Sequence, residues 1–128
     1  MLTVTTGDFA NLSLLGSPAL GRLLEHARIV PTHGIPPDVI TMYSLVLCID
    51  LQTRERQMVR LVYPADVPAD EADISVLASL GMALLGASAG QEIKVEHSDG
   101  SVRHLRVAEV LYQPEHDLRA NLTSGSVF

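Results

Sequence analysis

The chain has 128 residues, of which 47% are hydrophobic and 4% aromatic, and its formal net charge at pH 7 is −6. This length is typical of a single domain that can bury a substantial core. The acidic balance and the few aromatic side chains disfavour direct nucleic-acid binding, which requires a basic face or surfaces on which bases stack.

Cys48 is the only cysteine, which excludes a disulfide framework or a cysteine-based zinc site within one chain. The first residues lack the basic and long apolar regions of a signal peptide. The longest uncharged stretch, 74–91, is interrupted by Gly and Ser and is too polar to span a membrane. We therefore predict a cytoplasmic protein without a cofactor or a membrane partner.

Residues 1–37 are predicted to form a short helical arm followed by a proline-rich linker. Ser17 can cap a helix whose first residue is Pro18. Asp8 can cap a shorter preceding helix that ends at Gly16, and it is the one acid near the tip of this arm. The prolines of 31–37 favour an extended chain without helix. The second helix has one apolar stripe, formed by Leu20, Leu23, Leu24 and Ala27.

Residues 38–117 are predicted to form an α+β domain, and 118–128 a frayed tail. The hydrophobic period changes from helical to alternating at Val39, and Asp99-Gly100 is a strong hairpin signal. Ser79 is a candidate cap for the one helix between the strands, which would end at Gly86. The predicted strands cover 39–51, 57–63, 74–77, 92–97 and 102–112.

Two patterns suggest enzymatic or metal chemistry, and both have a simpler explanation. Gly86-Ala87-Ser88-Ala89-Gly90 matches the nucleophile elbow of hydrolases, but a helix precedes it and a strand follows, the reverse of that motif's context. His97 and His104 flank the Asp99-Gly100 turn and could face one another, but further metal ligands are absent from the neighbouring sequence. A helix end and solvated hairpin histidines are the favoured interpretations.

The helix that begins near Ser79 combines core leucines with small residues. Leu77, Leu80 and Leu84 are core candidates, whereas Ala78, Gly81 and Ala83 would leave a smooth surface beside the preceding loop. Smooth apolar surfaces of this kind can receive a partner helix. Taken alone, this pattern predicts an interaction module of unspecified partner.

Several runs follow the pattern of one family in order and spacing, and the match covers about 29–117. The chain resembles the regulator of nucleoside diphosphate kinase and the C-terminal domain of the transcript-cleavage factors GreA and GreB. The runs that carry the resemblance are Asp38-Val39-Ile40-Thr41-Met42, Leu61-Val62-Tyr63-Pro64, Ile74-Ser75-Val76-Leu77-Ala78, Ala83-Leu84-Leu85-Gly86 and Leu105-Arg106-Val107-Ala108-Glu109-Val110-Leu111-Tyr112-Gln113-Pro114-Glu115.

The resemblance implies an FKBP-like domain, in which a strongly bent antiparallel sheet surrounds one helix. It also implies binding to RNA polymerase at the rim of the secondary channel. In Gre factors a long N-terminal coiled coil enters this channel, and acids at its tip hold a catalytic Mg²⁺. Regulators of the nucleoside diphosphate kinase type have a shorter hairpin and are expected to occupy the site without stimulating cleavage.

Three departures from the family pattern refine the prediction. The arm is about thirty residues long and carries only Asp8 near its tip, a poor donor set for Mg²⁺. The rim-binding Asp-Ser-Pro-like turn falls on Leu77, Ala78 and Ser79, so that Leu77 stands at the Asp position and Ser79 at the Pro position. Arg54 replaces a turn glycine, which costs little provided that its φ stays negative.

We therefore predict a non-enzymatic transcription elongation regulator that docks on RNA polymerase and competes with Gre-type factors. Two alternatives stay open: an FKBP-like peptidyl-prolyl isomerase, disfavoured by the scarcity of aromatic residues for a prolyl pocket, and a self-associating module without polymerase binding. The predicted partner-binding residues are Leu77, Ala78, Ser79, Leu80 and Met82, with Asp8 at the arm tip and no catalytic or metal-binding residue.

Overall fold

The computed structural model describes residues 2–67 and 70–117, so the predicted tail lies outside the described residues. Within these residues, helices and strands form an α+β structure with two sheets, and 114–117 are also helical. The elements are β1 (Thr3–Thr5), α1 (Thr6–Ser13), α2 (Pro18–Glu25), β2 (Arg28–Val30), β3 (Leu45–Asp50), β4 (Arg56–Val62), β5 (Asp73–Ser75), α3 (Ser79–Leu84), β6 (Glu92–Glu96) and β7 (Val102–Tyr112).

The N-terminal segment is a hairpin of two short helices whose ends are joined by a small sheet. Ser17 caps α2 as predicted, and its hydroxyl accepts a hydrogen bond from the Leu20 amide at 3.2 Å. The cap of α1 is Thr5, whose Oγ1 accepts from the amide of Asp8 at 3.1 Å, so the assignment of that cap to Asp8 was wrong. The parallel pairing of β1 with β2 was not predicted, because each strand has only three residues and the partners are distant in sequence.

The linker after β2 contains one 3₁₀ turn, Thr32–Gly34, where the sequence predicted extended chain throughout. Pro31 precedes this turn, at a position where a missing backbone N–H costs no hydrogen bond.

The five-stranded sheet has the order β5-β4-β3-β7-β6, with β3 at its centre as predicted. The β3–β4 and β6–β7 pairs are antiparallel hairpins, and Gly100 adopts the positive φ of 88° that the second turn requires. β5, however, runs parallel to β4, so the sheet is mixed and the prediction of a fully antiparallel sheet was wrong.

The central strand begins later than predicted, at Leu45, because the chain turns just before it. The amide of Ser44 donates to the carbonyl of Thr41 at 3.1 Å, and Tyr43 has a φ of 67°. At the other end of β3, Arg54 has a φ of 68° in the turn to β4. The condition of a negative φ at Arg54 is therefore not met, and the residue occupies a region that favours glycine.

The sheet is curled around a single hydrophobic core. The pairing of β3 with β7 shifts register between Leu45 and Val46 and between Leu47 and Cys48, and such irregularities bend a sheet. Cys48 is fully buried on the concave side, in the role of a small apolar residue that the sequence predicted. Four residues of the N-terminal segment join the same core: Val4, Leu12, Leu20 and Leu24.

The helical hairpin therefore packs on the sheet domain and shares its core instead of projecting as an arm. Among the helices of residues 2–67 and 70–117, none combines the length and hydropathy of a membrane span.

Candidate partner-binding surface

The start of α3 presents three consecutive exposed residues, Leu77, Ala78 and Ser79. The turn that displays them is held by Ser75. Its Oγ accepts from the Leu77 amide at 3.1 Å, and its carbonyl accepts from the Ala78 amide at 3.0 Å. The N-cap of α3 is Ala78, without a side-chain hydrogen bond, so the prediction that Ser79 caps this helix was wrong. Ser75 already stabilises the turn, and the Ser79 side chain is left at the surface.

Helical geometry separates the predicted partner-binding residues into two groups. Met82 lies one turn after Ala78, and its amide donates to the Ala78 carbonyl at 2.9 Å, so its half-buried side chain borders the exposed turn. Leu80 points the opposite way and is 8% exposed in the core, where it cannot contact a partner. We call Leu77, Ala78, Ser79 and Met82 the α3 surface.

Gly81 brings α3 against the chain that precedes it. A Cβ atom at this position would collide with the backbone carbonyl of Ser75 and would lie 2.9 Å from the Cα of Val76. Gly81 is buried, so its predicted place on a smooth surface was wrong. Its small size serves close packing, which fixes the position of the exposed turn.

A shallow groove of about 220 Å³ adjoins the α3 surface at Met82. Ala83 forms one wall, and Leu23 of α2, which is 40% exposed, forms part of the other. Sequence reasoning missed this groove, because its walls come from helices that meet only in the folded chain. One sequence signal for this groove is the apolar stripe of α2. Leu20 and Leu24 of this stripe are buried, whereas Leu23 stays exposed although it is apolar.

Asp8, predicted at the tip of the arm, lies in the first turn of α1 against the sheet domain. Its Oδ2 accepts a hydrogen bond from the Met42 amide at 3.1 Å. Burial is the main cause that raises the pKa of the Asp8 carboxyl to about 6, and the negative charge of Glu115 contributes. Glu115 is itself 9% exposed, and its Oε1 accepts from Thr41 Oγ1 at 2.6 Å. Asp8 therefore lies at the base of the helical hairpin, and the prediction that it lies near the tip was wrong.

The nucleophile-elbow pattern around Ser88 and the histidine pair of the β6–β7 hairpin both lie in the structural contexts that the sequence predicted. Ser88 follows α3 and precedes β6, the order opposite to that of a nucleophile elbow. His104 pairs with Lys94 across the hairpin, and the His97 amide bonds the Ser101 carbonyl, so the two histidines do not face one another. Within residues 2–67 and 70–117, no group of three or more His, Cys, Asp or Glu side chains is arranged to hold a metal ion.

Comparison with known proteins identifies the class to which this fold belongs. The model of the transcription elongation factor GreA/GreB C-terminal family matches residues 35–112, and the chain belongs to that family. A structure of a prokaryotic GreA/GreB elongation factor from Nitrosomonas europaea superimposes with a TM-score of 0.72 at 35% identity, covering 87% of this chain and 98% of that one. The transcription factor Gfh1 shares the fold, with a TM-score of 0.52 at 20% identity.

Within this family, the chain is similar to the regulator of nucleoside diphosphate kinase of Escherichia coli K12. The two are 39% identical over 97 residues, which cover 76% of this chain and 71% of the regulator. Transcription elongation factor GreA of Syntrophus aciditrophicus is 29% identical over 71% of this chain and 56% of its own length.

Proposed function

We propose that this chain is a non-enzymatic transcription regulator that binds RNA polymerase near its secondary channel. It would compete there with Gre-type factors, in the cytoplasm where the polymerase works. The observation that carries the proposal is the exposed turn of Leu77, Ala78 and Ser79, in a member of a transcription elongation factor family. This turn falls where the resemblance places the rim-binding segment of Gre factors.

The α3 surface has the properties of a small docking site. It carries no charged side chain, so a partner would bury it with little desolvation cost. Ser75 and Gly81 hold the turn in place from below, through the hydrogen bonds at 3.0 and 3.1 Å and through close packing. A pre-ordered turn loses little conformational entropy on binding, which favours affinity from a limited contact area.

The proposed action is occupancy of the site instead of transcript cleavage. A cleavage factor needs carboxylates that are available to a hard Mg²⁺ ion. The Asp8 carboxylate is half-buried and accepts a hydrogen bond from the Met42 amide, and the helical hairpin that carries it packs on the sheet domain. The proposal therefore assigns Asp8 a structural role.

The first experiment is recovery of core RNA polymerase on immobilised protein. We expect the wild type to retain polymerase and Ser79→Arg to reduce recovery at least about tenfold, since a buried unpaired charge costs more than 1.4 kcal/mol. Ser98→Arg is the matched control, because Ser98 is exposed in the distant β6–β7 turn and the charge change is identical. Equal recovery of wild type and Ser79→Arg would eliminate the α3 surface, and no recovery of the wild type would eliminate the function.

The second experiment tests competition. A Gre-type factor is allowed to stimulate transcript cleavage in stalled complexes while this chain is added in increasing amounts. We expect the wild type and Ser98→Arg to suppress cleavage and Ser79→Arg to leave it unchanged. Stimulation of cleavage by the chain alone would contradict the proposed action.

A further inference from the structure

We propose that the groove between α2 and α3 receives one large apolar side chain of the polymerase segment that covers the α3 surface. The inference rests on the proposed function and deepens it, because it extends the binding site from α3 to the helical hairpin. The occupant is defined by its chemistry: an uncharged side chain such as that of leucine, methionine or phenylalanine.

The groove is lined by apolar residues from α2, from α3 and from the segment that follows α3. Met82 and Ala83 of α3 are half-buried, and Leu23 of α2 is 40% exposed on the other side. Leu85 and Ala87 belong to the core cluster and, being buried, form the floor. The described lining residues carry no charge, so a charged occupant would lose its hydration without gaining a partner.

The walls of the groove are fixed by the core before any partner binds. Leu20 and Leu24 hold α2 in the core, and Leu84 does the same for α3. Gly86 has a φ of 76°, and a Cβ atom there would lie 2.9 Å from the amide nitrogen of Thr3, so the missing side chain lets β1 pack against the end of α3. A preformed groove of this kind loses little conformational entropy when it is filled.

The volume of the groove suits one side chain better than a small-molecule ligand. Its volume of about 220 Å³ is below the roughly 300–1,000 Å³ of pockets that bind such ligands. Protein interfaces obtain much of their binding energy from single large side chains that fill desolvated pockets of the partner. The groove has the size and the apolar lining that such an anchor requires.

Met82 connects the groove to the α3 surface, because it belongs to both. Its amide donates to the carbonyl of Ala78 at 2.9 Å, so Met82 lies one helical turn, or about 6 Å along the axis, from the exposed turn. A partner segment that covers this turn therefore passes the groove within the reach of one side chain. On the far wall, Leu23 is absent from the core cluster and from the partly buried residues packed on it, as far as the described chain extends.

Leu23→Glu tests whether a partner side chain enters the groove. We expect core RNA polymerase to be retained at least about tenfold less than by the wild type, because the new carboxylate would be buried in an apolar contact. Met58→Glu is the matched control: Met58 is 53% exposed on β4, on the face of the sheet away from the core, and the charge change is identical. This control should retain polymerase like the wild type.

Ala83→Leu separates a filled groove from a flat apolar contact. The larger side chain would occupy part of the groove and displace the partner's side chain, so we expect retention to fall at least about fivefold. A flat contact would instead gain apolar area and bind equally well or more tightly. Ala65→Leu, in the exposed turn after β4, is the matched control and should leave retention unchanged.

The same retention assay separates failure of the groove from failure of the proposed function. Full retention by Leu23→Glu or by Ala83→Leu, while Ser79→Arg loses the polymerase, overturns the groove inference alone. A wild type that retains no polymerase overturns the proposed function and the groove inference with it. Because Leu23 is exposed, Leu23→Glu should keep the urea midpoint of the wild type, so that its loss of retention reports on binding.

Discussion

Asp8 and Glu115, from opposite ends of the described chain, bring two like charges to one buried junction between α1 and the sheet domain. Because burial and this charge raise the pKa of the Asp8 carboxyl from 3.8 to about 6, the folded chain binds the proton more tightly than the unfolded chain. Ionised Asp8 therefore makes folding less favourable above pH 6, and this cost disappears as the pH falls through 6 toward 4.

We expect Asp8→Asn to raise the free energy of unfolding at pH 7.5 by roughly 1–2 kcal/mol, because the amide oxygen can still accept from Met42 while the buried charge is gone. Urea unfolding at pH 7.5 and at pH 5 measures this. The gain should shrink at the lower pH, where Asp8 of the wild type is largely protonated. A gain that is equal at both pH values, or a loss at pH 7.5, would contradict the prediction.

Two glycines should respond oppositely to the same substitution. Gly81→Ala would place a methyl group against the Ser75 carbonyl, which is backbone and cannot move aside, so we expect a loss of more than about 2 kcal/mol. Gly21 lies inside α2 with open space around its Cβ position, and Gly21→Ala should stabilise by about 0.5–1 kcal/mol through helix propensity. Thermal unfolding of both variants checks the signs, and similar changes at both sites would refute the packing argument.

Tyr43 and Arg54, non-glycine residues with a positive φ, should respond oppositely to substitution by glycine. Arg54 is exposed in the β3–β4 turn at φ 68°, and Arg54→Gly should stabilise the chain by about 0.5–1 kcal/mol by removing backbone strain. Tyr43 has a similar φ of 67°, but its hydroxyl donates to Asp66 at 2.6 Å and its ring packs edge-on against Tyr63 at 5.6 Å. Tyr43→Gly should therefore destabilise, and urea midpoints of the two variants that move in the same direction would count against this reasoning.

Gln113 connects the end of β7 to the segment before β3. Its Nε2 donates to the carbonyls of Pro36 at 2.7 Å and of Val39 at 2.8 Å, and the residue is 4% exposed. Gln113→Glu replaces this donor with a carboxylate that faces two carbonyls, so we expect a loss of roughly 2–4 kcal/mol at pH 7.5. Denaturant titration should show a smaller loss near pH 4, where the carboxyl can donate once. A variant as stable as the wild type would show that these bonds contribute little.

Several features that depend on neighbouring residues were predicted correctly from the sequence, although the helix caps assigned to Asp8 and Ser79 were wrong. The cap at Ser17, the turn at Gly100 and the central position of β3 follow from side-chain chemistry or hydrophobic alternation within a few residues. Membership of the family was also predicted from local runs of residues, because residues 35–112 carry the pattern of the family.

Features that depend on long-range packing were missed. The direction of β5 depends on the path of the segment after β4, and no alternation of apolar residues encodes it. The burial of Asp8 requires Met42 and Glu115, which approach only in the folded chain. Leu80 and Leu84 were predicted as core residues and are buried, whereas Leu77, the third core candidate, precedes α3 and is 36% exposed.

The pairing of β1 with β2 anchors both ends of the helical hairpin in one small sheet, where Thr5 lies opposite Val30 and Arg28 lies opposite Thr3. The opposite end, at Leu14 and Gly16, is exposed and has open space around it. Helical hairpins of different lengths can therefore be built on an unchanged base, with residues added or removed at that end. The length of such a hairpin can thus vary independently of the sheet, because α1 begins at this fixed anchorage and α2 returns to it.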